Sequence, residues 1–104
     1  MRLNPHHPAR FWSHLGRAHF TARQYAEAIE AFMHLPAMDM AQHAFVAACY
    51  GHLGDKTAAS AHVARVRELD PEFTFEKLKS TLHYDRAEDT AHLREGLEKA
   101  GLAD

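Results

Sequence analysis

Apolar residues recur every three or four positions along most of the chain, the spacing that gathers side chains on one face of a helix. From Phe11 to Phe20 the positions are Trp12, Leu15, Gly16 and His19; after the short turn Thr21-Ala22-Arg23 they are Tyr25, Ala28, Ile29, Phe32 and Leu35. Pro36 closes this second segment, because proline has no N–H to give a helix and its ring clashes with the preceding turn. RFWSHLGRAHF and QYAEAIEAFMHL are thus predicted as two antiparallel helices. A second pair follows. Asp39-Met40-Ala41-Gln42 has the form of a capping box, in which the aspartate accepts from an early backbone N–H and the glutamine reaches back. The helix it opens runs through Phe45, Val46, Cys49, Tyr50 and Leu53. Gly54-Asp55 makes the turn, with Asp55 as N-cap of a fourth helix that turns Ala59, Val63, Val66 and Leu69 inward before Asp70-Pro71 ends it.

The remaining residues predict a shorter helix carrying Phe73, Phe75, Leu78 and Leu82, then a break at His83-Tyr84-Asp85. A further capping box, Asp85-Arg86-Ala87-Glu88, opens a last helix with Leu93, Leu97 and Ala100 on its apolar face. Gly101 is placed as a left-handed C-terminal cap, with Leu102 folding back onto the final turn. No segment shows the strict alternation of a half-buried strand. The expected class is all-α, with about six helices in three antiparallel pairs and one domain over residues 1–104.

The first two pairs repeat a pattern. Trp12-x2-Leu15-Gly16-x2-His19 followed by Ala28-x3-Phe32 resembles the tetratricopeptide repeat, and His43-x2-Val46-Ala47-x2-Tyr50 with Gly54, Ala59-x3-Val63 and Pro71 is a looser second copy. The resemblance implies a right-handed α-α superhelix: repeat 1 about 9–36, repeat 2 about 39–71, and a C-terminal capping helix pair about 72–101. The small residues Gly16 and Ala47 stand where one helix of a pair approaches its partner, facing Ala28 and Ala59. Toward the C-terminus, Leu69-Asp70-Pro71-x-Phe73, the run Tyr84 to Asp89 and the ending Gly96-Leu97-Glu98-Lys99-Ala100-Gly101-Leu102 resemble the C-terminal tetratricopeptide region of bacterial class III adenylate/guanylate cyclase-like proteins, with Arg86 where that family often has proline. This implies a non-catalytic protein-interaction or regulatory module serving a signalling domain. Leu3-Asn4-Pro5 echoes Leu69-Asp70-Pro71, so Met1-Arg2-Leu3 is expected to be the stub of a preceding repeat, and the chain a fragment or a shortened version of a longer array.

Composition narrows the function without naming it. In 104 residues, 46% hydrophobic and 25% charged side chains are the balance of an ordinary globular protein. Twelve basic against fourteen acidic residues leave a net charge of -2, with no broad positive field for nucleic acid or anionic lipid. No stretch approaches the roughly 18 consecutive apolar residues that a membrane span needs, and no signal peptide is evident. A cytoplasmic location is expected, consistent with the single cysteine, Cys49, in the apolar run AFVAACY, where it reads as a buried hydrophobe.

Candidate chemistry is sparse. The ten histidines raise a metal-binding or hydrolytic alternative, but no two are four apart as a helical zinc pair requires, and His6-His7 offers at most an adventitious site. No catalytic, metal or cofactor residue is assigned, and the chain is not expected to be an enzyme. The resemblance places the first helix of each pair on a concave face, so Arg10, Ser13, Arg17 and Phe20 form a stripe able to meet a protein or peptide. Phe11, beside the buried Trp12, is expected to be partly exposed at the repeat end, either against a neighbouring domain or in a homodimer.

Overall fold

The computed structural model describes residues 8–82 and 86–102. These form six helices and no strand: α1 (Ala9–Thr21), α2 (Tyr25–Met33), α3 (Met40–Leu53), α4 (Lys56–Leu69), α5 (Phe75–Lys79) and α6 (Ala87–Ala100). The all-α expectation holds for these residues. The stub Met1-Arg2-Leu3, the Leu3-Asn4-Pro5 phrase, His6-His7 and the break at His83-Tyr84-Asp85 lie outside them.

Local chemistry sets most helix ends. Asp39 and Gln42 close the expected capping box, with Gln42 N donating to Asp39 Oδ1 at 2.8 Å and Asp39 N to Gln42 Oε1 at 2.9 Å. Asp55 accepts from Ala58 N at 3.1 Å and so starts α4. At their C-terminal ends, α1, α3 and α6 are closed alike by a left-handed residue: Arg23 (φ 64), Gly54 (φ 80) and Gly101 (φ 93). The residue after each donates back to the last turn, Gln24 N to His19 O at 2.8 Å, Asp55 N to Tyr50 O at 3.0 Å and Leu102 N to Leu97 O at 2.8 Å. Leu102 folds onto the core as predicted and is 2% exposed.

α3 is the central helix. Residues 43–49 are all buried, so it is covered on every side, as a helix apolar all round must be. Its neighbours enclose it: α4 follows across the Gly54 turn, while α2 and, less closely, α1 pack against it. Within α1 and α2, Gly16 lies so close to Phe32 that an added Cβ would meet its ring at 2.7 Å. Ala47 and Ala59 play the same part between α3 and α4, sharing a small cluster with Ala100.

α6 departs from the expectation. It was predicted to pair with the fifth helix, yet its extensive contact is with α3. α5 is only five residues long, because Ser80 Oγ and Thr81 Oγ1 donate to the Lys77 and Leu78 carbonyls at 2.7 and 2.8 Å and end the helix. Thr74 rather than Phe73 opens it, accepting from Lys77 N at 3.2 Å. The contact with α6 is made through side chains, Arg94 lying 4.6 Å over the Phe75 ring. α6 itself begins at Ala87 with Arg86 in the N-cap position and no side-chain cap; Asp85, the expected cap, lies outside the described residues. Leu53 and Leu69, placed on inward faces by periodicity, are 52% and 47% exposed at the ends of α3 and α4.

What brings α6 onto α3 is a pair of glycines. A Cβ on Gly51 would collide with the Gly96 carbonyl oxygen and sit 2.9 Å from the Ala100 amide nitrogen; one on Gly96 would meet Ala48 Cβ at 2.9 Å and the His52 ring at 2.7 Å. The last turns of α3, Ala48 to His52, therefore meet the second half of α6 at backbone contact. Gly51→Ala should destabilise by about 3 kcal/mol, since overpacking outweighs the roughly 1 kcal/mol that alanine gains in a helix interior. At Gly54, where a Cβ meets nothing within 4 Å, alanine should cost only about 1 kcal/mol from the left-handed backbone. Urea unfolding followed by circular dichroism checks the order; equal costs would contradict it.

Candidate functional site

The expected stripe on α1 is divided by the packing beneath it. Arg10 and Phe11, with Pro8, His14 and Leu15, line an open depression of about 450 Å³. Ser13 and Arg17 face the other way, lining a cleft of about 70 Å³ with Asp39, Gln42 and Phe45 at the start of α3 and Leu82 beyond α5. Arg17 lies 5.3 Å over the Phe45 ring, a cation–π contact that fixes its guanidinium at the rim. Phe11 is half-buried and meets Trp12 edge-on at 5.1 Å. Trp12, 2% exposed, stacks flat on His34 at 3.9 Å.

Phe20 does not belong to this surface. It is fully buried, with its ring edge-on to Phe45 at 5.4 Å and to Tyr25 at 5.9 Å. The spacing that groups it with Arg10, Ser13 and Arg17 is correct for α1, but at the last turn of α1 that face is covered by the rings of Tyr25, Phe45, His52 and His92.

Around Phe20 four elements bring together rings that sequence spacing did not connect. His52 at the end of α3 lies between Tyr25 of α2, stacked at 4.9 Å, and His92 of α6, stacked at 4.4 Å. Phe20 covers His92 at 4.6 Å. His52 Nε2 is 2.9 Å from the His92 carbonyl oxygen, which can only accept, so His52 carries its proton on Nε2. Tyr25 Oη and His92 Nε2 are 2.6 Å apart, and His92 Nδ1 is buried without a hydrogen-bond partner. Burial first, then the neighbouring His52 and Arg23, push the His92 pKa down to about 4 against the opposing pull of Glu95 and Asp89. Burial likewise raises the Tyr25 phenol above its ordinary value. Both groups are neutral at pH 7, joined by one short hydrogen bond. The residues are 27 and 40 positions apart along the chain, so only the register set by Gly51 and Gly96 reveals the group.

A second ring group sits between α3 and α4. His43 Nδ1 and His62 Nδ1 are 3.1 Å apart, and His62 stacks against Tyr50 at 5.8 Å. His43 is 8% exposed, and burial is the main cause holding both imidazoles below their usual pKa. Cys49, on the same helix, is fully buried; burial pushes its thiol up to about 12, so it is not the thiolate that nucleophilic chemistry needs. Among the described residues, no three His, Cys, Asp or Glu side chains gather to hold a metal ion. No described helix is long and apolar enough to cross a membrane.

The lowered pKa of His92 makes stability depend on pH with a definite sign. Between about pH 6.5, where an unfolded histidine takes up its proton, and about pH 4, where the folded one does, the unfolded chain binds more protons. Stability therefore falls as the pH falls through this window and levels off below it. In equilibrium unfolding from pH 7 to pH 4, His92→Gln should show a flatter decline than the parent chain; parallel declines would remove His92 as the cause.

Compared with known proteins, the chain matches no family model, no curated protein and no solved structure.

Proposed function

We propose that this chain is a non-catalytic protein-interaction module of the tetratricopeptide kind, which holds a protein or peptide against α1 in the service of a signalling domain resembling a nucleotide cyclase. The observation that carries this reading is the division of labour among the side chains. Groups with reactive potential, Cys49, Tyr25 and His92, are spent on packing, whereas Arg10, Phe11, Ser13 and Arg17 border the depression and cleft on α1. A half-buried aromatic beside an arginine, as Phe11 is beside Arg10, is the composition that protein interfaces favour.

Packing at the repeat positions supports the architecture. Gly16, close to Phe32 rather than to the expected Ala28, and Ala47, clustered with Ala59, are small residues at close approaches, as the tetratricopeptide pattern asks of those two positions. The link to a cyclase-like protein rests on the sequence resemblance of the Leu69 to Phe73, Tyr84 to Asp89 and Leu93 to Leu102 segments alone.

Capture of partner proteins on the immobilised full chain, quantified by mass spectrometry, tests the surface. A variant combining Arg10→Glu, Phe11→Ser and Arg17→Glu should lose at least about tenfold in affinity for a protein captured by the parent chain, equivalent to about 1.4 kcal/mol. Lys56→Glu, an equal kind of charge change on α4, should leave capture unchanged, and melting curves verify that both variants fold. If the triple variant binds as the parent does, α1 is not the interaction surface.

A further inference from the structure

His43 and Tyr50 stand seven residues apart, two turns along one face of α3, and His62 reaches across from α4 between them. The separation of the two Nδ1 atoms, 3.1 Å, has a second meaning beside a hydrogen bond. Two imidazole nitrogens held about 2.0–2.1 Å from one ion, at the angles of square-planar or tetrahedral coordination, lie about 2.9–3.4 Å from each other. We infer that His43 and His62 form a two-imidazole site for a divalent transition ion of the Zn²⁺ or Cu²⁺ class, each ring contributing Nδ1 and water completing the coordination shell.

The surroundings suit such an ion. An imidazole is mostly neutral at pH 7, so both lone pairs are available once the single shared Nδ1 proton moves to the far ring nitrogen. The Tyr50 ring, within 19° of parallel to His62, holds that imidazole in its plane. Two charged side chains act on His43, the Arg65 guanidinium against a cation and, more weakly, the Asp39 carboxylate for it. His62 is half-buried, which leaves one side of the pair accessible to a hydrated ion. Mg²⁺ and Ca²⁺, which prefer oxygen ligands, are excluded by the same donor set. Because one ligand is on α3 and the other on α4, binding clips the two helices together. The site thus adds a ligand-dependent term to the stability of the chain.

Thermal unfolding of the full chain with Zn²⁺ reads this directly. At a free concentration about a hundredfold above the dissociation constant, the midpoint should rise by about 10 °C, with Mg²⁺ giving no rise. The rise should disappear in His62→Gln and in His43→Gln. No rise with the parent chain, or an equal rise in both variants, overturns the proposal; the latter outcome assigns the effect to other histidines such as His6 and His7. Should the variants fold poorly, substoichiometric Cu²⁺ added to the parent chain decides by NMR. Selective broadening of the His43 and His62 ring resonances supports the site, and broadening confined to other histidines refutes it.

Discussion

The backbones of α3 and α6 touch at Gly51 and Gly96, and the rest of the described structure is arranged around that contact. No side chain can stand between the two helices there, since even a methyl group on either glycine would enter the other's backbone or its nearest side chains. Ala47, Ala48 and Ala100 continue the close approach, so that buried area comes from backbone and Cβ atoms rather than from long side chains. Large residues then fill the flanks: Phe20, Phe45, Leu93 and Leu97 are all within 1% of complete burial. A helix apolar on every face, such as α3, has to be surrounded, and α6 supplies the side that the two helix pairs leave open.

This contact also decides where polar rings are buried. Gly96 admits the His52 ring beside it, and one turn away His92 comes under Phe20. Two imidazoles and a phenol behave here as flat aromatic bodies that carry hydrogen bonds at their edges. The cost is visible at one atom, His92 Nδ1, which has no partner. An unmade bond of this kind costs about 1–3 kcal/mol. The arrangement persists because the Tyr25 and His52 bonds and the stacking of four rings offset it.

The parts of the fold legible in the sequence are those fixed within a few residues. The Asp39-Gln42 box, the Asp55 cap, the Gly54 turn and the Gly101-Leu102 ending are each written in the residues that form them, and the structure realises each one. Periodicity located α1 to α4 for the same reason. It could not choose the partner of α6, because an apolar face at Leu93 and Leu97 fits any apolar surface and only the glycine pair selects α3. Burial at the ends of helices was equally out of reach: Leu69 and Phe20 both sit at core spacing or interface spacing within their own helix, and the neighbour that covers Phe20 and leaves Leu69 open is far away in sequence. Helical spacing groups Arg10, Ser13 and Arg17, and the repeat pattern adds Phe11, whereas the His43–His62 and His52–His92 pairs need tertiary register.

That register is specified by polar groups as well as by the glycines. A slide of one turn would bring a Cβ to the place of Gly51 or Gly96, where there is no room for one. The same slide would break the Tyr25–His92 bond and the His52 bond to the His92 carbonyl and leave their polar atoms unpaired. The left-handed Arg23 contributes at the same junction. A non-glycine residue pays roughly 1–2 kcal/mol for that backbone, yet its guanidinium bonds the Thr21 carbonyl at 2.6 Å and stands 3.8 Å from the Asp89 carboxylate of α6. Glycine would close α1 with less strain and lose both contacts. The α1–α2 turn is thereby tied to α6 by charge, the α2 start by the phenol and the α3 end by an imidazole, three attachments of different chemistry that agree on a single alignment of the last helix.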